Sequence, residues 1–124
     1  MCIVFVAIVS AFVIFLYVKN QPNMGKFFLA DYQWEIEHFP SDKNVGSITD
    51  ANDAIKKARI LWLDEYSAVN GQSYDPIKKR KIKVYFDHEQ DCWLVTTTVP
   101  LNTKASVPHA LIQSDGTVLA IWLG

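Results

Sequence analysis

From Cys2 to Val18 the chain reads CIVFVAIVSAFVIFLYV, a run without charge, proline or glycine in which Ser10 is the only small polar residue. A helix made of it would be apolar on every side, leaving no polar stripe to face water, so it does not suit the surface of a soluble core. The run is just long enough to cross the hydrocarbon of a bilayer, which takes roughly 17 to 25 residues. A helix also satisfies its own backbone there. Residues 1–19 are therefore expected to form a membrane anchor or signal segment. A cleaved secretory signal wants basic residues ahead of its apolar stretch and a small-residue cleavage site. Here Met1 runs directly into Cys2 and Ile3, and an uncleaved single-pass anchor is expected.

With that block set aside, about 100 residues remain, enough for one core and too few for two. The chain carries a net charge of −1 and a sequence pI near 6.3. A field that would draw it to nucleic acid is missing, and no nucleic-acid partner is expected. Cys2 lies in the apolar run and Cys92 far away beside Trp93, so no disulfide framework is indicated. Cys92, with no basic neighbour, reads as an inert buried thiol.

Residues 20–47 read as a linker with an irregular or short helical segment. Gln21-Pro22-Asn23 is turn-forming, and Phe28, Tyr32 and Ile36 would share one helical face before Pro40 ends the pattern. A stronger helix follows. Thr49 or Asp50 can cap it, and Ala51, Ala54, Ile55, Ala58, Leu61, Trp62 and Tyr66 fall at three-four spacing. Asp53 and Lys57 are placed for an i,i+4 pair, and Asn70-Gly71 offers the left-handed stop. Beyond Pro76 the period changes to two: Ile82, Val84 and Phe86 alternate with Lys81, Lys83, Tyr85 and Asp87. Cys92 to Val99 is β-branched and aromatic. His109 to Gln113 and Thr117 to Leu123 flank Ser114-Asp115-Gly116, a tight-hairpin signal. The expected fold class is α+β, with an N-terminal transmembrane or signal-anchor helix followed by a helix packed on an antiparallel sheet of three to four strands. Trp62 is expected to pack on sheet residues such as Val95 and Ile121.

Residues suited to catalysis are scattered. His38, His88 and His109 stand far apart without a second metal ligand at suitable spacing. No serine lies in a nucleophile-elbow motif and no phosphate loop occurs. Asp87, Glu89 and Asp91 do cluster, but a hairpin turn should leave all three solvated, without the burial that tunes an acid for proton transfer. No catalytic residue, metal ligand or cofactor is expected. The basic run Lys78 to Lys83 reads as the solvated face of a strand.

The stretch from Ile48 onward resembles a bacterial family of immunity proteins with a nuclear-transport-factor-like, or cystatin-like, fold, found beside polymorphic toxins. Asp53-Ala54-Ile55 with Ala58, Trp62 and Tyr66 carries the resemblance in the helix, and Asp91-Cys92-Trp93-Leu94-Val95 opens a strand in the same way. Val107-Pro108-His109-Ala110-Leu111-Ile112, Ser114-Asp115-Gly116-Thr117-Val118-Leu119 and the final Leu123-Gly124 follow in order. Where the family commonly has Gly-Gly before the penultimate strand this chain has Ala105-Ser106, and the family's basic tail is missing. The resemblance implies a cystatin-like domain over 48–124 that binds and neutralises a cognate protein toxin without catalysis. Competing readings are a small-molecule-binding enzyme of the same fold superfamily, which would need a histidine and an acid facing one cavity, and a cystatin-like or PepSY-like inhibitor of an envelope peptidase.

Lys19 and Lys26 follow the apolar run with nothing basic before it, which favours a cytoplasmic domain. The resemblance favours export, and the expected location is the bacterial inner membrane with the soluble domain in the periplasm. Many toxins that attack nucleic acids are basic, so an acidic projection would steer their association. The candidate binding surface is accordingly the turn formed by Asp87, His88, Glu89 and Asp91, with Tyr85 beside it.

Overall fold

The computed structural model describes residues 24–66, 68–69, 72–73, 80–98 and 106–124. The Cys2–Val18 run lies outside them; among the described residues no helix is long and apolar enough to cross a membrane. The described residues form an α+β domain, with two α-helices and a five-stranded mixed sheet. Its elements are β1 (Met24–Lys26), a 3-10 turn (Leu29–Tyr32), α1 (Gln33–His38), α2 (Ala51–Tyr66), β2 (Ala68–Val69), β3 (Gln72–Ser73), β4 (Ile82–Asp87), β5 (Cys92–Thr97), β6 (Pro108–Gln113) and β7 (Val118–Leu123).

The strands β4 to β7 form an antiparallel meander, as the period-two pattern requires. The sheet is larger than the three to four antiparallel strands expected from sequence, because β1 adds a parallel edge strand beside β4, pairing Gly25 with Tyr85. Three residues within a stretch that reads as linker carry no periodicity of their own. Gly25 is required there, since a Cβ at this position would run into the Tyr85 ring. At the β6–β7 turn Gly116 takes φ +96° with its α-carbon against the backbone of Gly46, so a side chain is excluded both by conformation and by space.

Helix α2 forms where its stripe and caps predict. The Asp50 carboxylate accepts the Asp53 N–H at 2.8 Å, while the Asp53 carboxylate accepts the Thr49 N–H at 3.0 Å and takes Lys57 at 2.9 Å. Ala51, Ala54, Ala58, Leu61 and Trp62 are buried against Val84, Trp93, Val95, Ala110, Ile112 and Val118. Small alanines let the helix approach the sheet, and Trp62 fills the space between them. The helix ends at Tyr66, ahead of a short ladder in which Ala68 pairs with Ser73 and Val69 with Gln72. Asn70-Gly71, expected to stop the helix, lies outside the described residues.

The second face of the sheet is also covered, which explains why β5 is buried at almost every position rather than at alternate ones. Cys92, Leu94, Leu111, Ala120 and Trp122 form a separate apolar cluster, closed over by Phe27, Leu29, Tyr32, Ile36 and Tyr85. The short helical segment expected here is α1, which begins at Gln33 after the 3-10 turn, so of the expected face Tyr32 and Ile36 join the cluster and Phe28 stays outside it. From Phe39 the chain runs along the outer edge of β7, accepting the Ile121 N–H at Phe39 and the Val118 N–H at Lys43, and donating from Ile48 to the Ser114 carbonyl. Residues 24–48 thus occupy one sheet edge, one sheet face and the other edge, leaving neither edge of the meander bare.

Candidate functional site

The β4–β5 turn is built around Asp87. This carboxylate was expected to be solvated; it is only 5% exposed. It sits where the chain entering the 3-10 turn crosses this end of the sheet, and the part-buried N–H of Leu29 there needs an acceptor. Asp87 Oδ2 accepts that N–H at 2.8 Å, and Oδ1 accepts the N–H groups of Glu89 at 2.9 Å and Gln90 at 3.2 Å. The Leu29 N–H, followed by those of Gln90 and Glu89, holds the carboxyl below its ordinary range and keeps it ionised. Asp87 therefore shapes the turn and ties it to the segment ahead of α1.

The rest of the turn is presented outward. His88, Glu89, Gln90 and Asp91 are exposed. Asp91 adopts φ 52°, a left-handed conformation that a short polar side chain tolerates. Its carboxylate accepts the Ser114 hydroxyl at 2.7 Å, and that oxygen in turn accepts the Trp93 indole N–H at 3.2 Å. The two hairpin turns are thereby locked to each other. Of the other candidate residues, Tyr85 is half-buried in the second apolar cluster, and His88 meets Phe86 edge-on at 4.8 Å. The structure thus brings the acidic turn together as a fixed projection, with Glu89 and Asp91 as its exposed charges.

Beside the turn lies a cleft of about 270 Å³ lined by Phe28, Leu29, Gln33, Asp87, Glu89 and Gln90. Phe28 is 68% exposed at its rim. Helix α1 continues from this cleft across the sheet with Trp34 facing outward, its indole stacked on His38 at 4.0 Å. No sequence signal marked Phe28 or Trp34 as surface aromatics, since the segment from Phe27 to Phe39 mixes aromatics with acids and shows no clear apolar stripe. Their exposure follows from α1 being so short that only Ile36 and its neighbour Tyr32 reach the cluster.

One pairing that the sequence did not suggest lies under α1. His109 stacks on Trp122 at 4.9 Å, and burial pushes its pKa down while the Glu35 carboxylate acts in the opposite sense. Glu35 Oε2 is itself buried without a hydrogen-bond partner. Tyr32 is raised by burial first and by Glu35 second. Cys92 is fully buried, and burial pushes its thiol up to about 12, in keeping with an inert role. On the opposite side of the molecule a groove of about 600 Å³ runs between α2 and Lys43 to Val45. Two of its lysines are already engaged, Lys43 with Asp64 and Glu65, and Lys57 with Asp53.

Compared with protein-family models, with curated proteins and with solved structures, the chain matches none.

Proposed function

We propose that this chain is an immunity protein, a non-catalytic domain that binds and neutralises a cognate protein toxin from an inner-membrane anchor, with the domain on the periplasmic side. The observation that carries this reading is the pre-formed acidic turn: the Asp87 hydrogen bonds and the Asp91–Ser114–Trp93 chain fix its backbone before any partner arrives. A projection already ordered in the free protein loses little conformational freedom on binding. Its exposed carboxylates would speed encounter with a basic partner. One helix cradled against a four-strand antiparallel meander also suits the cystatin-like fold that the sequence resemblance implies.

Co-expression with the products of the genes that flank its own, screened for toxicity, tests the reading. The wild-type chain is expected to restore growth, and Glu89→Lys, which reverses an exposed charge without touching the Asp87 bonds, is expected to weaken protection and complex recovery roughly tenfold. Absence of both rescue and complex with the wild-type chain would refute the immunity reading. Full protection by Glu89→Lys would remove the turn from the interface.

A second reading, a small-molecule-binding enzyme, is favoured by the buried and unpartnered Glu35 oxygen acting on His109. In that case Glu35→Gln would abolish the chain's biological activity. As an immunity protein it would lose none.

A further inference from the structure

Trp34 is 57% exposed, on a helix that contributes no fully buried residue. Its indole is nevertheless held in place. One ring face lies against the His38 imidazole, 4.0 Å between centroids and 18° between planes, and His38 Nδ1 donates to the Trp34 carbonyl at 2.8 Å. Phe39 meets the indole edge-on at 5.8 Å and stacks over Trp122 at 6.4 Å, which stacks in turn on His109. The exposed indole is the outer end of an aromatic column rooted in the second apolar cluster. A large aromatic whose rotamer is already fixed offers much contact area at little entropic cost, as residues that dominate binding energies do.

The charge along its own segment has one sign. Between Phe27 and Phe39 the chain carries Asp31, Glu35 and Glu37 and neither lysine nor arginine. Asp31 and Glu37 are exposed. An indole face attracts cations, and neighbouring carboxylates concentrate them. A guanidinium, planar and weakly hydrated, can stack on the ring and bond to a carboxylate together. Resting on the reading of the chain as a binder of a protein partner, we infer that Trp34 and Phe39 form the contact platform for an arginine-bearing basic segment of that partner. The same carboxylates repel an anionic lipid surface, and a second copy of this chain would set like charges face to face.

The test uses the full chain in neutral-detergent micelles, titrated calorimetrically at low salt with a nona-arginine peptide. Saturable binding is expected, weakened roughly tenfold in Trp34→Ala, as loss of a cation-on-indole contact implies. Glu37→Lys, which alters only an exposed side chain and keeps the fold, is expected to weaken binding to a similar degree. Wild-type affinity in both variants would overturn the inference, as would the absence of saturable binding to the wild-type chain. Concentration-dependent dimerisation that disappears in Trp34→Ala would overturn it too, assigning the platform to self-pairing. Peptide binding that depends on Trp34, in a chain that fails to neutralise the toxin, would leave the platform standing and refute the immunity reading alone.

Discussion

Replacing Trp62 with alanine is expected to lower the melting temperature of the domain by roughly 20 °C or more. The side chain is completely buried, fills the space between the small residues Ala54 and Ala58 of α2 and the sheet residues Val84, Val95 and Ala110, and donates its indole N–H to the His109 carbonyl at 3.3 Å. Truncating such a residue costs about 3 to 5 kcal/mol, because the cavity collapses only in part. A domain of this size possesses roughly 5 to 15 kcal/mol in all. Trp62→Phe keeps most of the volume and is expected to retain a transition at lower temperature. Circular dichroism melting of the full chain in micelles reads both. An unchanged melting temperature in Trp62→Ala would show that α2 does not hold the sheet in the way described.

The next largest loss is expected from Asp87→Ala, a substitution that sequence alone would rank as a harmless turn change. It removes the acceptor for the N–H groups of Leu29, Glu89 and Gln90 together, and it releases the segment that closes the second apolar cluster. A part-buried donor such as the Leu29 N–H is costly to leave without a partner. A drop in melting temperature of roughly 10 °C is expected for a domain this small. The pH dependence has a definite sign. Asp87 is held below its ordinary value of 3.8, so its stabilising contribution is complete above that value and is lost as pH falls through the lower folded value. Wild type should therefore lose stability on acidification below about pH 4 more steeply than Asp87→Asn, which has no charge to lose. Parallel acid profiles for the two proteins would show that Asp87 is not the group responsible.

Much of the fold was legible because its strongest elements obey local rules. The α2 stripe, its Asp50 cap, the alternation through β4 and the Asp-Gly turn before β7 each carry their own periodic or conformational signal. Residues 24–48 carry only the weak face of Phe28, Tyr32 and Ile36 and the stop at Pro40. Their roles as edge strand, sheet cover and strap are defined by partners distant in sequence, as with Leu29 and Asp87 or Lys43 and Val118. A hydrophobic pattern reports that Tyr32 and Ile36 want burial, but not which surface they meet. The burial of Asp87 was invisible for the same reason: period two correctly places it on the face opposite α2, and only the crossing of the segment before α1 turns that face into an interior.

The candidate site divides along the same line. The turn and its acids could be read from composition, since Asp87 to Asp91 interrupts two apolar strands. The exposure of Phe28 and Trp34 could not, because it follows from the shortness of α1, which no local pattern reports. Nor could the electrostatic influence of Glu35 on His109, residues remote in sequence that the packing of α1 against the sheet brings within range of each other.

The most direct test of the central claim is to mix the purified chain with the purified product of the gene adjacent to its own, assayed for toxicity, and measure association by titration calorimetry, with toxin activity followed in the same samples. A saturable complex of fixed stoichiometry, in which toxin activity falls in proportion to occupancy and both polypeptides are recovered chemically unchanged, is the result predicted for a non-catalytic immunity protein. Lack of association, or inhibition at substoichiometric amounts of this chain accompanied by covalent change in the toxin, would contradict it.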